Sequence, residues 1–97
     1  MTAKEAFDHI VGYIKKQGGQ AKDWYAGIAA DPEKRLFTDH NVSKDNGWWA
    51  YAPCGNDETA RAAESLLLDH GCDGGPSGGD EDTTWVYAYL KTPETVE

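Results

Sequence analysis

Long apolar runs are missing from this 97-residue chain. The most apolar stretch, around Leu66–Leu68, falls far short of the roughly 20 residues that a bilayer-crossing helix needs. No membrane partner is therefore expected. The opening Met1-Thr2-Ala3-Lys4-Glu5 has no basic stretch followed by an apolar block, so it does not read as a signal peptide. Cysteine is scarce as well. Cys54 and Cys72 are the only two, too few for a disulfide framework and in neither a CxxC pair nor a zinc-ligand spacing. These absences together predict a cytoplasmic protein with reduced thiols.

Basic runs are also lacking. The net charge is −8, and it is unevenly placed. Residues 1–50 balance seven basic side chains against seven acidic ones, whereas residues 51–97 hold only Arg61 and Lys91 against ten carboxylates. Proteins that grip nucleic acid release counterions through Lys and Arg, so the charge disfavours nucleic acid as a partner. It suits solubility, or docking on a basic protein.

What is present is ordinary for one globular domain, with 39% apolar and 27% charged residues over 1–97. Thr2 with Glu5 forms a capping-box pattern, and Phe7, Ile10, Val11 and Ile14 follow at helical spacing. An N-terminal helix is predicted within 1–17, ended by Gly18-Gly19. Trp24–Ala29 reads as a strand, Asp31-Pro32 starts a second helix reaching towards His40-Asn41, and Trp48–Ala52 reads as another strand after the Asn46-Gly47 turn. Asn56 caps a third helix running through Leu68 to Gly71. A glycine-rich loop, Gly71–Gly79, leads to the clearest strand, Thr83–Lys91, with Trp85, Tyr87 and Tyr89 on one face and Val86, Ala88 and Leu90 on the other. The core is placed at 24–91 and a frayed tail at 92–97. The order predicts an α/β (α+β) fold, a small three-stranded sheet packed with about three helices.

Hydrolysis of a phosphodiester needs an oriented nucleophile, a cation for the charge developing on phosphoryl oxygens, and often a divalent metal held by carboxylate. Tyr25, Arg35 and Glu64 have the chemistry for those roles. Glu64 stands at the margin of an apolar helix face, with Ala60, Leu67 and Leu68 beside it, where a carboxylate requires a partner; Arg61 is one candidate. Arg35 has Asp31 or Asp39 as alternative partners, Tyr25 can be a packed strand aromatic, and His40 can serve simply as a favourable helix end.

The segment Trp24-Tyr25-Ala26-Gly27-Ile28 followed by Asp31-Pro32-Glu33-Lys34-Arg35-Leu36 resembles the second motif of the GIY-YIG nucleases, a strand with Tyr-x-Gly leading into a helix bearing an arginine. Ala60-Arg61-Ala62-Ala63-Glu64-Ser65-Leu66-Leu67 resembles that family's metal-binding helix, and the likeness covers about residues 24–71. It implies a catalytic tyrosine at Tyr25, a binding glycine at Gly27, the arginine at Arg35, a histidine at His40, and Glu64 as ligand to Mg²⁺ or Mn²⁺. The family's first signature strand has no counterpart ahead of Tyr25, where an amphipathic helix stands. The last strand would take its place in a circularly permuted arrangement, with Tyr87 or Tyr89 supplying the missing tyrosine. The expected activity is metal-dependent phosphodiester hydrolysis. The alternatives are a non-catalytic acidic protein docking on a basic partner, by analogy with phage-type inhibitors that mimic the charge of DNA, and a nucleotide binder using Trp85, Tyr89 and the glycine loop. The carboxylates Asp73, Asp80, Glu81 and Asp82 match no EF-hand spacing and read as a solvated loop.

Overall fold

Thr2 starts the first helix, α1 (Ala3–Lys16), through a reciprocal capping box. The Glu5 amide donates to Thr2 Oγ1 at 3.1 Å, and the Thr2 amide donates to Glu5 Oε1 at 2.8 Å. Ala6, Ile10, Val11 and Ile14 form its buried stripe. Each of the larger ones contributes about 2 kcal/mol of apolar burial. In this computed structural model, residues 1–75 and 79–97 are described.

A short 3₁₀ turn (Ala21–Asp23) leads into β1 (Trp24–Ala29). Asp31 then caps the single turn α2 (Pro32–Lys34), its carboxylate accepting from the Lys34 amide at 3.1 Å, with Pro32 in the first helical position. The chain continues as a π-helical turn, Arg35–Asp39. β2 (Trp49–Pro53), α3 (Asp57–His70) and β3 (Trp85–Leu90) complete the order. Asn56 caps α3 as expected, accepting from the Thr59 amide at 2.7 Å, and Gly71 closes it at φ 122°, a conformation that favours glycine.

The sheet is antiparallel throughout, with order β1-β3-β2. The α+β class and three-stranded sheet expected from the sequence are therefore observed. The last strand lies between the first two, with Tyr25 opposite Tyr89 and Gly27 opposite Tyr87. One sheet face carries Trp24, Ala26, Ile28, Ala50, Ala52, Val86 and Ala88 and packs against α1 and α3. The other gathers Tyr25, Ala29, Tyr87, Tyr89, Trp49 and Tyr51 beneath Leu36, Phe37 and Val42. Alternation along each strand makes this division. The outer edge of β1 is covered. The Asp73 amide donates to the Trp24 carbonyl and the Ala26 amide to the Asp73 carbonyl, both at 2.8 Å.

The tail departs from expectation. Instead of fraying, it folds back on the π turn. The Val96 amide donates to the His40 carbonyl at 2.8 Å, and Asn41 Nδ2 donates to the Glu94 carbonyl at 2.9 Å. Among the described residues no helix is long and apolar enough to cross a membrane. Both cysteines are free and buried.

Candidate active site

The second sheet face opens at the end of β1 into a cavity of about 360 Å³, walled by Tyr25, Gly27, Asp31, Arg35, Glu64 and Tyr87, among others. Three separate elements supply its chemistry. β1 and β3 present Tyr25 and Tyr87 by strand alternation, the π turn presents Arg35, and α3, lying over edge strand β1, presents Glu64.

The π turn sets the relation between Arg35 and His40. In a regular α-helix, residue i+5 stands about 140° round from residue i. Here the His40 amide donates to the Arg35 carbonyl at 2.8 Å, an i→i+5 bond, and the wider turn carries both side chains to the sheet. Helical periodicity read from sequence would have separated them. His40 is 3% exposed and stands behind Tyr87, not in the cavity wall. Its Nε2 is 2.7 Å from Tyr87 Oη, and its Nδ1 is 2.7 Å from the Val96 carbonyl and 3.1 Å from Tyr89 Oη. The rings of Tyr25, Tyr89 and His40 are mutual neighbours, with centroids 4.9 to 5.3 Å apart.

Burial sets the titration of this cluster. It holds His40 below its ordinary value of 6.5, while the Val96 hydrogen bond acts in the other direction. It pushes the Tyr87 phenol up to about 12, against the pull of the Arg35 guanidinium, and raises Tyr89 too. At neutral pH the site therefore holds a neutral imidazole beside protonated phenols.

Gly27 is shaped by Tyr87. A Cβ at position 27 would lie 2.6 Å from Tyr87 Cζ, so only glycine lets the ring cross the strand here. Gly75 relates similarly to Tyr25, whose Oη would stand 2.7 Å from a Cβ. Arg35 faces the cavity while its Nε pairs with Asp39 Oδ2 at 3.5 Å, so the predicted ion pair and the cavity position coexist. Glu64 is 6% exposed, deeper than the margin position expected of it. Arg61 pairs with Asp57 and donates to the Gly79 carbonyl.

Two expected binding residues fall elsewhere. Tyr89 is fully buried and gives its hydroxyl to the His40 and Val96 cluster, because it sits mid-strand beneath Tyr25. Trp85, at the strand end, lines a neighbouring groove with Tyr51, Asp31 and Glu33. The glycine loop of the nucleotide-binder alternative spans Gly71–Gly79, of which Pro76, Ser77 and Gly78 lie outside the described residues; Gly75 and Gly79 line the main cavity. Among the described residues no three His, Cys, Asp or Glu side chains converge as a metal cage. The sequence reading missed the Val96 carbonyl, since a backbone acceptor 56 positions away from His40 leaves no residue-type signal. Compared with known proteins, the chain matches no protein family, no curated protein and no solved structure.

Proposed function

We propose that this protein is a metal-assisted phosphodiester hydrolase resembling the GIY-YIG nucleases in a permuted order. One observation carries the reading: Tyr87, whose Oη is 2.7 Å from the buried His40 Nε2, lines a cavity that is also walled by Tyr25, Arg35 and Glu64. A phenol titrating near 12 is a poor base by itself. Coupled to a neutral imidazole, it works as a relay. As a water attacks phosphorus, its proton passes to Tyr87 Oη while the phenolic proton passes to His40 Nε2. The water oxygen becomes bonded to phosphorus, the bond to the leaving oxygen breaks, and that oxygen takes its proton from solvent. Arg35 offsets charge on the phosphoryl oxygens. Tyr25, which lines the same cavity and packs its ring 5.1 Å from that of His40, orients the substrate.

The donor set suits a hard cation of the Mg²⁺ or Mn²⁺ kind, which keeps several waters and binds through one or two carboxylates plus substrate phosphate. Glu64 would hold it and Asp31 also faces the cavity. Such a cation, when bound, supplies charge neutralisation at phosphorus.

The test is cleavage of plasmid, single-stranded DNA and RNA with Mg²⁺ or Mn²⁺, comparing the native chain with Glu64→Gln and Arg35→Ala. Cleavage lost in both variants with folding intact supports the hydrolase. Absence of cleavage by the native chain under either metal overturns it. The second reading, an acidic protein docking on a basic partner, draws on the −8 charge confined to residues 51–97. Retention of basic proteins with exclusion of DNA would favour it.

A further inference from the structure

The direction of the hydrogen bond between Tyr87 and His40 is set by a third group. A carbonyl oxygen has no proton to give, so the 2.7 Å approach of the Val96 carbonyl to Nδ1 is a hydrogen bond only when Nδ1 carries the proton. Neutral imidazole has one N–H. Nε2 is then bare, and Tyr87 Oη, also at 2.7 Å, must be the donor to it. Tyr89 agrees with this assignment, because its hydroxyl can donate to the same carbonyl at 3.3 Å. The opposite tautomer would press two lone pairs together at 2.7 Å around a side chain only 3% exposed, where solvent gives little relief.

The segment that brings this carbonyl in is held by polar contacts, since the Val96 side chain is 55% exposed. The Val96 amide donates to the His40 carbonyl, Asn41 Nδ2 donates to the Glu94 carbonyl, and a turn joins the Thr95 amide to the Thr92 carbonyl at 3.2 Å. Asn41 adopts φ 56°, a left-handed conformation that asparagine tolerates better than most side chains.

We infer that the Thr92–Glu97 segment is a positioning element of the site, whose Val96 carbonyl fixes His40 as the Nδ1–H tautomer and makes Nε2 the acceptor for the Tyr87 proton. The positioning role rests on the hydrolase reading; the tautomer does not. Once Nε2 takes the proton, the imidazolium keeps its Nδ1–H bond to Val96, now charge-assisted and stronger.

The experiment is ¹⁵N NMR of imidazole-labelled protein at neutral pH, with the His40 signals assigned by their loss in His40→Gln. The full chain is expected to show a protonated Nδ1 and a bare Nε2. A chain ending at Thr95, and separately Val96→Pro, which removes the amide tying the segment to His40, are expected to lose that pattern. Glu97→Gln is expected to keep it. Either variant serves if the other does not fold. A protonated Nε2 in the full chain overturns the inference, as does an unchanged Nδ1–H pattern in the folded variants. In the cleavage assay the same two variants are expected to lose about 100-fold in kcat with KM little changed. A full chain that cleaves nothing removes the hydrolase reading and with it the positioning role, while the NMR result decides the tautomer independently.

Discussion

Gly27 and Tyr87 are direct partners across the β1–β3 ladder, and the Tyr87 ring occupies the space that a side chain at position 27 would need. A single missing Cβ thus permits the phenol to cross the edge strand. The same phenol is 2.7 Å from His40 Nε2, and Tyr87 is among the residues that line the cavity.

Gly27→Ala is expected to displace that ring, at a cost of about 1–3 kcal/mol as an overpacked site, and to abolish cleavage. Gly12→Ala is the contrasting substitution. Gly12 lies inside α1 with nothing within 4 Å of a Cβ, so it should stabilise by roughly 0.5–1 kcal/mol. Urea denaturation of both variants checks the pair of signs.

Acid should weaken the fold through His40. Its pKa in the folded chain is below 6.5 because burial disfavours the charged ring. The unfolded chain then binds the extra proton first. The stabilisation is fully present above pH 6.5 and is lost as pH falls through the folded value. Urea midpoints measured from pH 8 to pH 5 should fall in the native chain and fall less in His40→Gln. The cleavage rate should drop over the same interval, since a protonated imidazole cannot accept from Tyr87.

The two thiols should be inert in the native state. Cys54 and Cys72 are 4% and 6% exposed, and burial pushes Cys72 up to about 11 and raises Cys54 as well. Labelling with a chromogenic disulfide at pH 8 is expected to be slow until denaturant is added. Both should then react fully. Rapid labelling without denaturant would contradict the burial.

Binding of nucleic acid should depend weakly on salt. Lys34 and Arg35 are the cations lining the cavity among the described residues, so about two phosphates would be neutralised. The slope of log K against log salt should then be close to −1.8 on duplex DNA. A slope several times steeper would require a basic surface elsewhere.

Much of the scaffold was legible because it is governed by neighbours in sequence. The Thr2 and Asn56 caps, the Asp31-Pro32 helix start and the two-faced Thr83–Lys91 pattern all depend on contacts within a few residues. Strand ends moved by a residue or two, as termini do. The candidate site was legible as residue types only. Tyr25, Gly27, Arg35, Glu64 and Tyr87 line one cavity, whereas Tyr89 and His40 serve from behind the wall and Trp85 faces another groove. Burial of Tyr89 could not be read from an alternating strand, because alternation says which face a residue shares and not what covers that face.

By itself, the sequence determined to within a residue or two where helices and strands begin, which face of each is apolar, and that one domain with an acidic second half would form. These follow from local propensity, capping and periodicity. Only the tertiary structure decided that β3 inserts between β1 and β2, that a π turn brings Arg35 and His40 to one face, and that Val96 closes on His40. Each of those depends on groups brought together from distant positions, where the free energy comes from packing and hydrogen bonds between segments and leaves no period in the chain.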